Sequence, residues 1–437
     1  MLATKQIARD IFRQTLASID IPSVMERKLS LEGTRLMLPN ASVDLARISR
    51  VVVVAIGKAA HAMVNGLVSL LPTGTRINGV VAAPTEPALR VHGLEYFVAG
   101  HPIPNQDSWR AAEAILRVLR GCDEHVWVFF LLSGGGSALV ELPLDPSITL
   151  EDFQAVNRAL VTCGAPIDAM NTVRRHLSAI KGGRLALAAG GAQKITLAVT
   201  DVPLGKEAAL ASGPSLPDPT TIADVQHIFV EYDLPSRFPA SLRRWIDAGL
   251  MPETPKPGHP AFTNAHFCLL LGMDDLFHAA HHTAEAHGYV SCCDNCTDDW
   301  PVGKAADYLL SQLHAWQREN PGQRVAVIAD GEVSSPVTGK GIGGRNSAFV
   351  LACVERIAGQ KITVLSAGTD GVDGNSPAAG ALADGDTLER AKALTLDPLA
   401  AFRNSDAYTF FAKLDDAIVT GPTGNNLRDL RLLLVEP

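Results

Sequence analysis

Apolar residues along the first half of the chain come in short, dense runs separated by stretches with helical spacing. The runs at residues 51–56, 79–83, 96–99, 126–132 and 195–199 are rich in Val, Ile, Leu and Phe. Residues 58–71 and 108–119 place apolar side chains three and four apart, with Asp107 or Ser108 positioned to cap the second stretch. A strand covered on both faces shows no polar alternation. Continuous apolar runs alternating with helices therefore predict a mostly parallel α/β sheet.

The pattern is interrupted at Ala248-Gly249-Leu250-Met251-Pro252-Glu253-Thr254-Pro255-Lys256-Pro257-Gly258-His259-Pro260. Proline at this density ends helices and reads as a linker. New alternations follow at residues 267–271, 274–287, 325–329, 362–367 and 415–419. The expectation is one α/β domain over residues 1–255 and a second over 256–437. No internal repeat or low-complexity tract is present.

Composition narrows the function. At 437 residues the chain is about twice a comfortable single-core length, which agrees with two domains. A formal net charge of −8 weighs against nucleic acid or an anionic membrane surface as partner. The 7 Cys are scattered and odd in number, so a disulfide framework is not expected and a reducing cytoplasm fits. Residues 1–20 mix charges with apolar positions and lack a signal-peptide core, and no run is long enough for a membrane span. The expected class is a cytoplasmic enzyme or binder of anionic small molecules, with a homodimer as the expected assembly.

Two glycine-rich segments carry the candidate chemistry. Ser133-Gly134-Gly135-Gly136-Ser137 follows the run at 126–132, and Gly339-Lys340-Gly341-Ile342-Gly343-Gly344-Arg345-Asn346 follows the strand-like 324–329. Both offer small residues and backbone N–H groups where a strand gives way to a helix, a place suited to an anion. Neither is a Walker A loop nor a G-x-G-x-x-G fingerprint. Lys58 stands where the run at 51–56 opens into a helix, with a positive charge for phosphate or carboxylate. Asp201 follows the run at 195–199 and could hold Mg²⁺, orient a hydroxyl, act as a base or cap a turn.

The basic residues Arg174, Arg175, Lys181 and Arg184 make either a solvated face or an anion-facing helix. Arg345 among its glycines can fork onto an anion or tie its loop to a carboxylate. Asp330 and Glu332 close one strand; Asp370 and Asp373 close another in a loop that is either metal-binding or a plain Asp-Gly turn. Cys292, Cys293 and Cys296 near His281 lack the second half of a zinc motif. Ser137 and His176 lack a nucleophile elbow.

Taken in order, Gly57-Lys58-Ala59-Ala60, Gly100-His101-Pro102-Ile103-Pro104-Asn105, the Ser133 loop, residues 171–185, Thr200-Asp201-Val202-Pro203, residues 211–221, 341–346, 366–374 and 420–430 resemble the class II glycerate kinases with a MOFRL domain. The resemblance spans nearly the whole chain. It implies a Rossmann-like parallel-sheet N-terminal domain, a smaller MOFRL-type α/β C-terminal domain and an active cleft between them. It further implies ATP- and Mg²⁺-dependent phosphorylation of D-glycerate at its 2-hydroxyl, with Lys58 and Arg345 as active-site residues. Asp201 is assigned with them as catalytic. Ser133, Gly134, Gly135, Gly136, Ser137, Glu332 and Asp370 are assigned to the nucleotide, and Asp370 and Asp373 to the metal. Some proteins of this kind carry the name hydroxypyruvate reductase, which is the alternative activity; a non-catalytic sugar-acid-binding protein is the other. The chain departs from the family pattern at Ser347-Ala348, where an acidic residue is usual two positions after G-G-R-N, and at Asn425-Asn426.

Overall fold

The computed structural model describes every residue except Met1, Asn40, Arg47, Leu204 and Asn426. The chain forms two compact units, residues 21–271 and residues 1–20 with 272–437. The departure at Asn426 lies outside the described residues.

The unit of residues 21–271 carries near its start a small antiparallel sheet, β1 (Ser30–Glu32), β2 (Arg35–Leu38) and β3 (Ala41–Asp44), its strands too short to stand out in the sequence. Its main sheet has six parallel strands: β4 (Arg50–Ile56), β5 (Ile77–Ala83), β6 (Leu94–Val98), β7 (Val126–Leu132), β8 (Gln193–Val199) and β9 (Ala265–Leu271). They lie in the order β6-β5-β4-β7-β8-β9. The chain thus builds outward from β4 on one side, then returns to β7 and builds outward on the other. Every residue of β7 is buried, as its uninterrupted apolar run requires.

Helices Ala60–Leu70 and Gln106–Leu119 pack on the sheet. The second is capped by Asn105, whose side chain accepts from Ser108 N at 2.9 Å, rather than by Asp107 or Ser108. Ser108 is the other half of this capping box. A separate helical layer, with Leu150–Thr162, Ile167–Leu177, Ile222–Glu231 and Ala240–Asp247, buries its own core around Phe153, Leu160, Phe229 and Leu242.

The proline-rich segment is not the boundary. β9, which follows it, pairs in parallel with β8 and completes the first sheet, so the unit runs on to Leu271. Pro255 O accepts from Asp218 N at 3.0 Å, and Thr254 Oγ1 donates to Asp218 Oδ2 at 3.0 Å, which pins the segment down.

The other unit holds a mixed sheet of β10 (Val290–Cys293), β11 (Val325–Asp330), β12 (Ile362–Gly368), β13 (Gly380–Asp384), β14 (Ala417–Ile418) and β15 (Asp429–Val435), ordered β10-β11-β15-β12-β13-β14. β15 runs antiparallel between β11 and β12 and is buried along its whole length. Helices Val302–Glu319 and Arg345–Val354 pack on this sheet. The first twenty residues also belong here. Helix Leu2–Ser18 packs on β12 and β15, and its buried Lys5 ion-pairs with Asp416 at 2.8 Å and Asp384 at 3.4 Å.

Candidate active site

In an open parallel sheet, the crevice beyond the carboxyl ends of the two strands where the order reverses is the place for a ligand. Here those strands are β4 and β7, and the loops that leave them are Gly57-Lys58-Ala59 and the Ser133 loop. Backbone bonds knit the two together: Lys58 N donates to Gly134 O at 3.0 Å, and Ser133 N to Ile56 O at 3.0 Å. The buried Ser133 hydroxyl accepts from Ala59 N at 3.0 Å.

Gly135 has φ +85°, and a Cβ on it would stand 3.0 Å from His101 Cδ2 and 3.6 Å from Lys58 Cγ. Loop, imidazole and lysine stem therefore converge on one spot. Burial, and then the Lys58 charge, hold the His101 pKa below its ordinary value, so the ring is neutral at pH 7. Among the described residues, the N–H groups of Gly134, Gly135 and Gly136 take no acceptor. Such groups need a partner, and water or an anion supplies it.

A polar chain runs from this loop along the cleft wall. Ser137 Oγ lies 2.9 Å from Ser212 Oγ; Ser212 Oγ donates to Asn171 Oδ1 at 3.3 Å; Arg174 Nη1 donates to the same oxygen at 3.4 Å. Ala211 and Ser212 both have positive φ, 48° and 60°, which costs non-glycine residues energy and occurs mainly at functional sites. The strain is held against the loop, since a Cβ on Gly136 would meet Ala211 Cβ at 2.6 Å. Beneath it the fully buried Lys181 donates to Ser137 O at 2.9 Å and ion-pairs with Glu141, which also accepts from Ser178 Oγ at 2.6 Å.

The four basic residues of this region thus part company. Lys181, Arg175 and Arg184 are buried structural cations: Arg175 pairs with Asp218 at 3.4 Å, and Arg184 Nε donates to Ser178 O at 2.8 Å. They are neither a solvated face nor an anion-facing one. Only Arg174 reaches the cleft. Asp201 lines the same cleft and is exposed. The unit of residues 21–271 therefore brings together Lys58, Ser133, Gly134, Gly135, Gly136, Ser137 and Asp201. Ser137 and His176 do not form a hydrolytic pair, because the buried His176 Nδ1 faces Thr172 O at 2.9 Å.

The second unit gathers Arg345, Glu332, Asp370 and Asp373 at the ends of β11 and β12. Arg345 Nε donates to Asp429 Oδ2 at 2.5 Å and Nη1 to Glu332 Oε2 at 2.6 Å. Burial opposes the Arg345 charge, yet these carboxylates outweigh it and raise its pKa. Asp373 is buried, with Oδ1 accepting from Asn346 N at 2.9 Å and Oδ2 from Ser347 N at 2.8 Å and Ser347 Oγ at 2.6 Å. It caps the helix Arg345–Val354. Ser347, the departure from the family pattern, serves that cap. Asp370 Oδ1 accepts from Val372 N at 3.0 Å in the turn after β12.

The second glycine-rich segment is not an open anion nest. Gly341 N donates to Asn404 O at 2.9 Å, Ile342 N to Asp406 Oδ1 at 2.9 Å and Gly343 N to Asn375 Oδ1 at 2.8 Å. Its glycines allow close packing instead: a Cβ on Gly344 would stand 2.3 Å from Asp373 Oδ1. Beside it lies a charged cluster only partly foreseen. Arg428 pairs with Asp298 and, at 3.2 Å, with Asp330. Asp330 is fully buried and its Oδ2 has no partner among the described residues; burial pushes its pKa up to about 6.

In the sequence His101 stands only within the Gly100–Asn105 motif and Arg428 and Asp429 only within the segment 420–430, none of them marked as a site residue, while Asp298 carries no signal. Each is far along the chain from the partners it meets. Among the described residues no three His, Cys, Asp or Glu side chains form a ready metal cage, the Cys292 region included.

Residues 7–247 match the family described as Domain of unknown function (DUF4147), and residues 325–429 match the MOFRL family. The D-glycerate 2-kinase of Thermotoga maritima is 33% identical over 91% of this chain and 92% of its own length. A protein of Agrobacterium vitis that carries the provisional name hydroxypyruvate reductase is 35% identical over 99% of this chain and 95% of its own. The crystal structure of a glycerate kinase from Thermotoga maritima superposes with a TM-score of 0.85 at 30% identity, covering 100% of both chains.

Proposed function

Because the chain belongs to the DUF4147–MOFRL family, that of the glycerate 2-kinases, we propose that it transfers the terminal phosphoryl group of ATP to the 2-hydroxyl of D-glycerate, giving 2-phospho-D-glycerate. The observation that carries the reading is the crevice at β4 and β7, where loop N–H groups that take no acceptor among the described residues, Lys58 and the neutral His101 meet. Phosphoryl transfer needs positioning and charge neutralisation more than covalent help. The loop fits a phosphate on both counts, with N–H donors that take no acceptor among the described residues and three glycines that carry no Cβ of their own.

In this reading the N–H groups of Gly134, Gly135 and Gly136, with the Ser133 and Ser137 segments that shape them, bind phosphate oxygens. Lys58 neutralises the transferring group. Asp201 accepts the proton of the attacking hydroxyl. Arg345 binds an anionic group of the substrates: Asp429 and Glu332 engage 3 of its N–H donors, and a guanidinium has about five. Mg²⁺ bound with nucleotide keeps water and phosphate ligands and asks the protein for one or two carboxylates. Asp370 suits that role, with Glu332 beside Arg345 toward the nucleotide. Asp373, both oxygens already accepting from the helix start, contributes by fixing Arg345 in place. We place the enzyme in the cytoplasm, in keeping with its free thiols, and expect a homodimer, which sedimentation analysis tests.

The reductase reading is disfavoured by one residue. A dinucleotide fold spends the glycines after its first strand on the pyrophosphate. Here the turn after β4 has the single Gly57, and Ser133 fills the space its Cβ would need. The test is to incubate the protein with D-glycerate, ATP and Mg²⁺ and couple product through enolase without phosphoglycerate mutase. Signal supports 2-phosphoglycerate. No signal even with mutase, together with NAD(P)H oxidation on hydroxypyruvate, refutes the kinase. Ligand binding without turnover of either kind favours a sensor.

A further inference from the structure

The cleft beside the glycine loop is far larger than a three-carbon acid. Its volume is about 710 Å³, within the ~300–1,000 Å³ typical for ligands of drug or nucleotide size. Its lining is mixed in chemistry. The loop N–H groups and His101 offer polar contacts, and Ile103, Val161 and Ile167 expose aliphatic surface: they are 53%, 64% and 57% exposed and all line this cleft. Single exposed aliphatics are ordinary, but three around one concavity mark a surface that a flat apolar group would cover.

Arg174 stands in the same cleft. Its guanidinium is half-buried, and among the described residues no carboxylate lies within ion-pairing distance of it. Among the described residues its side-chain partner is Asn171, through which the polar chain Asn171–Ser212–Ser137 joins it to the loop. Burial has stripped water from this cation and lowered its pKa, with Glu141 only partly compensating. A desolvated guanidinium without a counter-ion calls for an anion, and its fork suits phosphate.

We propose that this cleft holds the base and part of the phosphate chain of the nucleotide, with the base against Ile103, Val161 and Ile167 and phosphate between Arg174 and the glycine loop. The inference rests on the kinase reading for the identity of the nucleotide as ATP. It adds where the base lies and a phosphate ligand, Arg174, beyond those already assigned.

Calorimetric titration of the full-length protein tests it, with MgATP and with magnesium tripolyphosphate, which has the phosphates but no base. The double variant Val161→Asn/Ile167→Asn changes exposed side chains, so its fold should be unaffected. It is expected to weaken MgATP about tenfold or more through lost apolar contact, and to bind tripolyphosphate within about twofold of wild type. Arg174→Met is expected to weaken both ligands by about tenfold or more, with Arg174→Lys in between. Should Arg174→Met fold poorly, Arg174→Lys alone still has to weaken both. In each variant the KM for D-glycerate at saturating ATP should stay within about twofold.

Unchanged MgATP affinity in the double variant, or a KM rise confined to D-glycerate in the Arg174 variants, would overturn the proposal. The expected binding pattern in a protein that fails to phosphorylate glycerate would refute the kinase reading and leave the nucleotide site standing. Robust kinase activity with wild-type MgATP binding in all variants would do the reverse.

Discussion

At Gly57 an added Cβ would stand 2.1 Å from Ser133 Oγ and 2.7 Å from Ser133 O, at a φ of +134°. The glycine exists so that the turns after β4 and β7 can touch. Gly57→Ala should therefore destabilise the unit of residues 21–271 by about 2 kcal/mol or more, read as a lowered urea midpoint. Lys58→Ala should act in the opposite way, leaving the melting temperature near wild type while kcat/KM for D-glycerate falls on the order of 10²–10³-fold. Asp330 adds a pH signature. Its folded pKa of about 6 lies above the unfolded value near 3.8, so the folded state binds more protons between these pH values and stability falls as pH rises through them. Asp330→Asn removes that term. Relative to wild type the variant should gain up to about 3 kcal/mol between pH 4 and pH 7, at ~1.4 kcal/mol per pKa unit. Parallel stability curves for the two proteins would show that Asp330 is not held protonated.

The elements whose sequence follows their own local logic were the easiest to foresee. β4 and β7 are buried on both faces, and their apolar runs mark them almost to the residue. β15 is just as buried, yet it was missed: Asp429 and Arg431 interrupt its pattern because both charges are satisfied by tertiary partners, Arg345 and the Asp330 and Gly331 carbonyls. The second glycine segment misled for a related reason. Glycine records a need for space or unusual φ, and only the fold tells whether a ligand or a neighbouring chain takes that space. Helix Leu2–Ser18 is amphipathic on sight, but its destination is set by Lys5 meeting Asp384 and Asp416, residues at the far end of the chain. Lys5→Ala leaves those carboxylates buried without their cation and should cost about 3–5 kcal/mol, seen as an early thermal transition.

On the scale of the whole chain, the units are not two halves of the sequence. Residues 1–20 join residues 272–437, and the segment that looked like a linker is stapled into the first unit. A fragment of residues 21–271 keeps all six parallel strands and should unfold cooperatively. A fragment of residues 1–255 lacks β9, carries a helix without its sheet and exposes β8 as an edge, so it should aggregate or melt without a sharp transition. Circular dichroism melts of the two fragments decide between this division and one at residue 255.

The sequence by itself determined the α/β class, the alternation that builds the first sheet, the glycine loop after β7 and Lys58 beside it. Those features follow from contacts close along the chain, where burial of a strand or the freedom of a glycine leaves a local mark. Only tertiary structure decided that Arg174 faces the cleft while Arg175, Lys181 and Arg184 are spent inside the protein. It alone decided that Asp373 caps a helix and that Asp330 is left with an oxygen unpartnered among the described residues. A charged side chain looks the same in sequence whether solvent, a buried partner or a ligand will neutralise it. That choice is made by residues hundreds of positions away, through the cost of burying a charge alone.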